Sequence, residues 1–206
     1  MTTPKLSNEY LLLREMKSND IFGYYEILSD AETMQQFGGP PLNNDIERKD
    51  IVEQLKIERE RNLSFFWSIT LKHEREFIGF IRLLSYKSSY YDLSFSAMGE
   101  ARYSDDFLNE IDRNGWEIDY VLLKEYRNKG IMKEAMGLVL DFSDSNNITP
   151  IYAKVNSVKN IPSIRVLAQN SFIQLMPLMH DNPLTNTLYA ETIIKDKNYG
   201  MMFVKR

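Results

Sequence analysis

The distribution of apolar and polar positions predicts strands and helices that follow one another in mixed order along the chain. Runs rich in β-branched and aromatic residues, which are typical of strands, cover residues 11–13, 65–71, 77–84, 116–123, 151–155, 187–194 and 199–204. Apolar residues recur at spacings of three and four, as on one face of a helix, within residues 20–30, 43–62 and 132–142. Residues 176–179 are too irregular to assign. This order predicts an α/β fold, in which a mixed sheet has helices on both faces.

Two strand pairs are expected to form hairpins, because a short polar stretch joins the members of each pair. The first hairpin covers residues 65–84, with its turn at residues 72–76. The second covers residues 187–204, with its turn at residues 195–198, and is expected to close the sheet.

The centre of the chain combines a strand, a short basic loop and a helix. The strand, residues 116–123, carries apolar residues on both faces, which is typical of a strand covered on both sides, and only Glu117 and Asp119 interrupt it. In the loop, Gly130 lets the backbone come close to a ligand, and the free N–H groups of a first helical turn favour an anion. The helix carries one apolar stripe, formed by Met132, Ala135, Met136, Val139 and Phe142.

The basic loop alone is weak evidence for an anion-binding site. Arg127 and Lys129 supply charge of the right sign, but a basic loop with one glycine before a helix is usually only a loop. The spacing also lacks the Gly-x-x-x-x-Gly-Lys of a nucleotide-binding loop and the three glycines of a dinucleotide fingerprint. Triphosphate and nicotinamide cofactors are therefore not expected.

Composition narrows the function classes. The chain has 206 residues, of which 43% are apolar, so a single domain spanning residues 1–206 is the simplest interpretation. The net charge of −4 gives no reason to expect nucleic acid or an anionic membrane as a partner. The sequence shows no signal core and no apolar run of membrane-spanning length, and we expect a cytoplasmic location.

Metal and thiol chemistry are not expected. The absence of cysteine excludes disulfides, thiolate metal sites and a cysteine nucleophile. His73 and His180 are far apart and lie in polar stretches, where they are expected to be solvated rather than to act as ligands or bases.

Three spaced motifs resemble those of the GNAT-type N-acetyltransferases, and most closely the ribosomal-protein (RimJ/RimL-type) branch. That branch shows E-x-G-Y on a strand, Q/R-x-x-G-x-G/A opening a helix, and N-x-x-S-x-x-V-L-x-x-x-G-F on the next helix. The matching residues here are Glu117, Tyr120, Arg127, Gly130, Asn160, Ser163, Val166, Leu167 and Phe172. Asp119, Met132 and Ser171 depart from the pattern at positions where the branch has small residues.

The resemblance implies the GNAT fold, which is a mostly antiparallel mixed sheet with a central β-α-β cofactor unit, and acetyl-CoA as co-substrate. The pyrophosphate is expected on the backbone N–H groups of the turn, and the pantetheine arm is expected to pair like a strand with residues 121–123. The residues expected to bind the cofactor are Val121, Leu122, Leu123, Arg127, Asn128, Lys129, Gly130, Ile131, Met132, Asn160 and Ser163.

The resemblance also makes Glu117 the candidate general base, because an alkylamine must lose a proton before it attacks a thioester. Side chains alternate along a strand, so Asp119 lies on the same face within about 7 Å, and two such carboxylates raise each other's proton affinity. Other GNAT branches supply an acid to the leaving thiolate from a tyrosine at the position of Leu167, which leaves Ser163 or a water for this role. The predicted reaction is transfer of an acetyl group to a primary amine by direct attack on the thioester.

The sequence does not decide which amine is the acceptor, since a protein N-terminus and a small cationic amine both fit the predicted reaction. Two interpretations of residues 37–41 stay open. They correspond to the loop that borders the acceptor site in the family, or they only connect two helices. The segment 85–115 is an insertion with six acidic and three basic residues, a net charge of −3, and is either a lid for a cationic acceptor or a surface elaboration. Its aromatic residues include Tyr90, Tyr91, Phe95, Tyr103 and Phe107.

A second function class stays open, namely a GNAT-like module that binds acyl-CoA or a protein partner without catalysis. Met132 and the missing tyrosine at Leu167 favour it. The sequence also leaves open whether the chain forms a homodimer.

Overall fold

The computed structural model describes residues 2–37, 40–43, 49, 53, 55–57, 60–61, 63–74, 76–86, 112, 114–178 and 200–206. In chain order its elements are β1 (Leu6–Ser7), β2 (Leu11–Arg14), α1 (Asp20–Ser29), α2 (Ala31–Phe37), β3 (Ser64–Leu71), β4 (Phe77–Ser85), β5 (Trp116–Leu122), α3 (Ile131–Ser145), β6 (Ile151–Val155), α4 (Ile161–Gln169), β7 (Ile173–Leu178) and β8 (Gly200–Lys205). A single 3₁₀ turn, Lys124–Tyr126, lies between β5 and α3.

The strands form one eight-stranded sheet in the order β1-β2-β3-β4-β5-β6-β8-β7. Every neighbouring pair is antiparallel except β5 and β6, which are parallel and are connected through α3. A parallel pair requires a crossover connection, which the helix provides. The predicted mixed and mostly antiparallel sheet with a central β-α-β unit is therefore confirmed.

The two faces of the sheet carry different hydrophobic clusters. One face packs against α3 and α4 through a large core that includes Ile118, Met136 and Leu167. The other face packs against α1 and α2 through a smaller cluster that includes Tyr24 and Phe80. Because side chains alternate along a strand, β5 contributes to both clusters, and helices cover both faces of the sheet as predicted.

The α1–α2 region contains one helix more than the sequence pattern predicts. The chain turns at Asp30, where α1 has ended, and α2 begins at the next residue. The Asp30 carboxylate accepts hydrogen bonds from the backbone N–H (2.8 Å) and hydroxyl (2.6 Å) of Thr33, which is the arrangement of an N-cap. These bonds lower the pKa of Asp30, and the ammonium of Lys124 adds to the effect.

The C-terminal edge also differs from the expected hairpin. Strand β8 pairs with β6 on one side and with β7 on the other. Strand β7 includes residues 176–178, which the sequence analysis left unassigned, because Pro177 and the mixed pattern obscure the strand. The predicted hairpin partner, residues 187–194, lies outside the described residues, and β7 takes the place expected for it beside β8.

Several other predictions fall outside the described part of the chain. They concern most of the helix at residues 43–62, His180, the Gly38 and Gly39 positions of the first loop, and nearly all of the insertion at residues 85–115. Among the helices that are described, none combines the length and the apolar content needed to cross a membrane.

Candidate functional site

A gap opens in the sheet between the two parallel strands. β5 and β6 pair only at Trp116 with Ile151 and at Glu117 with Tyr152. Beyond this point β5 continues to Leu122 beside β4, but none of the described residues pairs with its other edge. The gap therefore exposes strand backbone that can hydrogen-bond to an extended ligand.

Hydrogen bonds show which residues of β5 face the gap. The Trp116 N–H donates to Pro150 on the β6 side (2.9 Å), whereas the Leu123 N–H donates to Ile78 on the β4 side (2.9 Å). Backbone groups of alternate residues point to opposite edges of a strand, so Tyr120 and Leu122 face the gap. By the same alternation the backbone groups of Val121 and Leu123 point to β4, so within the predicted pairing segment 121–123 only Leu122 faces the gap. Tyr120, which also faces the gap, was not among the predicted cofactor-binding residues.

The gap is part of a cavity of about 670 Å³. Its lining includes most of the residues predicted from the sequence, namely Glu117, Asp119, Val121, Leu122, Arg127, Asn128, Gly130, Ile131, Met132, Asn160 and Ser163. Leu123 and Lys129 are not among its lining residues. The exposed Lys129 instead places its ammonium 5.5 Å from the centre of the Tyr126 ring.

The turn before α3 has the backbone that an anion site requires. Gly130 has a φ of +78°, a left-handed conformation that favours glycine, and a Cβ at this position would meet no atom within 4 Å. The open space at Gly130 therefore lies at the N-terminus of a fifteen-residue helix, whose first N–H groups are available to an anion. Met132 does not obstruct this turn, because its side chain is buried in the main core.

Arg127 connects this turn to both β5 and α2. Its Nε donates to the Leu122 carbonyl (2.9 Å), and its Nη2 donates to the Thr33 hydroxyl (2.8 Å). Lys124 reinforces the connection through ion pairs with Asp30 (2.9 Å) and Glu32 (3.0 Å). Arg127 therefore holds the loop to the end of β5 and to α2.

The start of α4 forms the opposite wall of the gap. Asn160 is the N-cap residue of α4, and its side-chain oxygen accepts the Ser163 N–H at 3.3 Å. The Tyr120 hydroxyl reaches across from β5 and donates to the Ser163 carbonyl at 3.2 Å. Burial raises the pKa of this phenol, so it stays protonated, and its proton is directed at the carbonyl.

Glu117 lies at the point where β5 and β6 separate. The pKa of its carboxyl is raised to about 6: burial and the nearby charge of Asp119 raise it, while Lys154, a hydrogen bond from Tyr86, and Arg82 act in the opposite direction. The charge of Asp119 thus acts on Glu117 in the direction that the sequence analysis expects. A carboxyl with this pKa is mostly ionised at pH 7 yet takes up a proton readily, as a general base must.

Asp119 does not act as an isolated carboxylate. Arg82, which lies directly opposite on β4, donates to Asp119 Oδ2 through both Nε (3.1 Å) and Nη2. The Arg82 side chain is 8% exposed and that of Asp119 is 19% exposed. Arg82 therefore offsets the negative charge of Asp119 at this wall of the cavity.

Three residues around Glu117 were missed by the sequence analysis: Arg82, Tyr86 and Lys154. Arg82 and Lys154 belong to the strands on either side of β5, and Tyr86 follows directly after β4. Only the register between these strands brings them to Glu117. The alternation within β4 places Arg82 and Leu84 on one face, but without the register it does not show which residue they oppose.

Comparison with known proteins gives one family and several similar structures. The model of a family described as an acetyltransferase (GNAT) domain matches residues 10–173. No curated protein matches the sequence significantly.

The fold is similar to several solved acetyltransferases. They include a GNAT-family acetyltransferase from Bacillus anthracis (17% identity, TM-score 0.66, 98% of each chain covered) and spermidine N-acetyltransferase from Vibrio cholerae in complex with CoA and spermine (14%, 0.66, 96% of each chain). A third is ribosomal-protein-S5-alanine acetyltransferase from Vibrio fischeri (17%, 0.61, 98% of this chain and 96% of that one). At these identities the likeness shows the shared fold.

Proposed function

Because this chain belongs to the GNAT acetyltransferase family, we propose that it transfers an acetyl group from acetyl-CoA to a primary amine. The observation that carries the proposal is the gap between β5 and β6, which has Glu117 at one end and the Gly130 turn at the other. Two of the similar acetyltransferases, those named for spermidine and for ribosomal protein S5, act on amines by their names, and the first was solved with CoA.

The residues present fit acetyl-CoA. The free space at Gly130 and the N-terminus of α3 suit its pyrophosphate, and the edge formed by Tyr120 and Leu122 suits the extended pantetheine arm. Asn160 and Ser163 line the far side of the same gap. When bound, acetyl-CoA supplies a thioester whose carbonyl carbon accepts attack by an amine.

Glu117 is the proposed general base. The carboxylate takes one proton from the acceptor's ammonium group, and the neutral nitrogen then has the lone pair that forms the new amide bond. With a pKa of about 6, Glu117 is mostly ionised at neutral pH, so it is ready to accept this proton. The acid for the departing thiolate is Ser163 or a water, because the aliphatic side chain of Leu167 has no proton to donate.

The acceptor is a primary amine that enters on the side of Glu117. Among the described residues that line the cavity, two of the three acidic side chains have basic partners: Asp119 pairs with Arg82, and Glu32 pairs with Lys124. These walls therefore offer little surplus negative charge to a polycation. A protein N-terminus and a small cationic amine both stay within the proposal.

The test is turnover by the purified protein. Acetyl-CoA is incubated with a polyamine, an aminoglycoside and a peptide with a free N-terminus, and the release of free thiol is followed for each. We expect at least one acceptor to be acetylated, and Glu117→Gln to lower kcat by roughly 10²- to 10⁴-fold while the Kd of CoA stays the same. Glu26→Gln is the matched control, because Glu26 is an exposed residue of α1 that is not part of the cavity lining.

Two results would contradict this proposal in different ways. Binding of CoA without turnover of any amine would favour the alternative of a non-catalytic module. Failure to bind CoA at all, in a folded protein, would remove the basis for both functions.

A further inference from the structure

A buried tyrosine outside the motifs contacts the proposed base directly. The Tyr86 hydroxyl donates a hydrogen bond to Glu117 Oε2 at 2.9 Å. Tyr86 is only 6% exposed, and it follows the last residue of β4. Its hydroxyl therefore approaches Glu117 from within the protein rather than from the cavity, whose lining residues do not include Tyr86.

Neighbouring residues fix the ring of Tyr86. Its centre lies 5.6 Å from the centre of the Tyr152 ring, and Tyr152 is the residue that pairs with Glu117 across β5 and β6. The Tyr86 N–H donates to the Gly115 carbonyl at 3.0 Å, which holds the end of β4 against the start of β5. The Tyr152 hydroxyl in turn accepts the Asp112 N–H at 2.9 Å.

Gly115 is required for this packing. A Cβ at Gly115 would lie 2.7 Å from the Tyr152 ring and 2.9 Å from the Asp112 carbonyl, closer than side chains approach. Only glycine allows the chain to pass this close to Tyr152. The Tyr152 ring and the backbone bond to Gly115 thus hold Tyr86 with its hydroxyl directed at Glu117.

We infer that Tyr86 is a positioning residue for Glu117: its hydroxyl fixes one carboxylate oxygen and stabilises the ionised form of the base. This inference rests on the proposed function for its catalytic meaning. A donor to a carboxylate favours the charged form, so the bond opposes the effect of burial. Without it, Glu117 would hold its own proton at higher pH, so a smaller fraction of it would be ionised and free to accept the amine's proton at neutral pH.

Among the described residues, the other charged groups that act on Glu117 come from β5 itself and from the strands on either side of it. They are Asp119 on β5 itself, Arg82 on β4 and Lys154 on β6. None of these is altered by removal of the Tyr86 hydroxyl, and the Tyr86–Tyr152 ring contact also stays in a phenylalanine variant. Tyr86→Phe therefore changes one interaction with Glu117.

The first measurement does not need activity. The pKa of the Glu117 side chain is measured in the ligand-free protein by ¹³C NMR of glutamate carboxyls, with Glu117→Gln identifying the resonance. We expect Tyr86→Phe to raise this pKa from about 6 to about 7, which corresponds to the loss of a hydrogen bond to a charged group. Tyr152→Phe is the matched control, since it removes the hydroxyl of the stacked partner that contacts Asp112, and the pKa should stay near 6.

The second measurement uses the acetyl-transfer reaction. In Tyr86→Phe the acid limb of kcat/KM should move to higher pH by the same amount as the NMR pKa, whereas the KM of acetyl-CoA should stay unchanged. An unchanged or lowered Glu117 pKa in folded Tyr86→Phe would overturn the inference. A raised pKa in a protein that acetylates no amine would uphold the contact with Glu117 but would contradict the proposed function.

Discussion

Arg82 and Asp119 face each other directly across β4 and β5, and the guanidinium of Arg82 donates two hydrogen bonds to one carboxylate oxygen of Asp119. This pair lies in the wall of the cavity, on the same face of β5 as Glu117. Both partners act on the pKa of Glu117: the charge of Asp119 raises it, and that of Arg82 lowers it. The pair therefore adjusts the proton affinity of the proposed base.

Asp119→Asn should shift the acid limb of the kcat/KM profile to lower pH. The variant removes a charge that raises the pKa of Glu117 and also removes the negative charge that offsets Arg82, which lowers this pKa. Both changes favour the ionised carboxylate, so the apparent pKa should fall below about 6. Arg82→Gln is the opposite control and should move the limb to higher pH. If both variants moved the limb in the same direction, the pair would not control Glu117 through its charges.

Gly130→Leu should weaken CoA binding at least tenfold, or about 1.4 kcal/mol, as measured by calorimetry. A leucine side chain would fill the space above the turn and would strain a backbone held at a φ of +78°. Gly130→Ala separates these causes, because it introduces nearly the same strain with far less volume. A Kd in Gly130→Leu that equals the wild-type value, with the fold intact, would place the anion elsewhere.

Arg127→Met should cost about 1–2 kcal/mol of stability in urea unfolding and should weaken CoA binding, because two hydrogen bonds between the turn, β5 and α2 are lost. Lys124→Met is the comparison, since it removes more exposed ion pairs between the same segments. Such exposed pairs are screened by water and add little stability, so Lys124→Met should be nearly neutral. Equal losses in the two variants would argue that charge, rather than the bonds to the strand end and α2, supports the turn.

The buried ion pair between Arg14 and Asp20 should control acid stability. Arg14 holds both oxygens of Asp20, at 2.6 and 3.0 Å, and Ser68 donates to the same carboxylate at 2.9 Å. Burial raises the pKa of Asp20, but the Arg14 hydrogen bond, the Lys17 N–H and Ser68 together lower it below its usual value. A group with a depressed pKa stabilises the fold above its unfolded pKa, near 4, and this contribution is lost as the pH falls through the folded pKa.

Asp20→Asn should therefore destabilise the protein by about 3–5 kcal/mol at pH 7, because it removes the carboxylate charge that faces the buried guanidinium of Arg14. Much of that difference should vanish at low pH, where Asp20 of the wild type is itself protonated. Urea unfolding at several pH values measures both quantities. Ser68→Ala, which removes only a neutral donor, should cost about 1 kcal/mol; a larger loss in Ser68→Ala than in Asp20→Asn would show that the ion pair is not the main contributor.

Local patterns were sufficient for the elements that carry the motifs. The hairpin of β3 and β4, the strand β5, the helix α3 and the strand β6 follow from alternation and helical periodicity, which depend on neighbours in sequence. Gly130, in the turn before α3, was found for the same reason, since a left-handed residue before a helix is a local property of the chain. The motif spacing then indicated the family whose domain matches residues 10–173.

The tertiary structure alone decided which side chains surround Glu117. Tyr86 is 31 positions away from Glu117 in the chain, and Arg82 is 37 away from Asp119, so neither contact leaves a periodic signal in the sequence. Each arises because antiparallel pairing of β4 with β5 sets one register, in which a shift by one residue would move every side chain to the other face. The dependence on the assembled sheet also explains why the edge that Leu123 faces and the position of β7 beside β8 were not predicted. The sequence shows that each segment is extended, but only the assembled sheet determines which edge its N–H groups meet and which strand lies beside it.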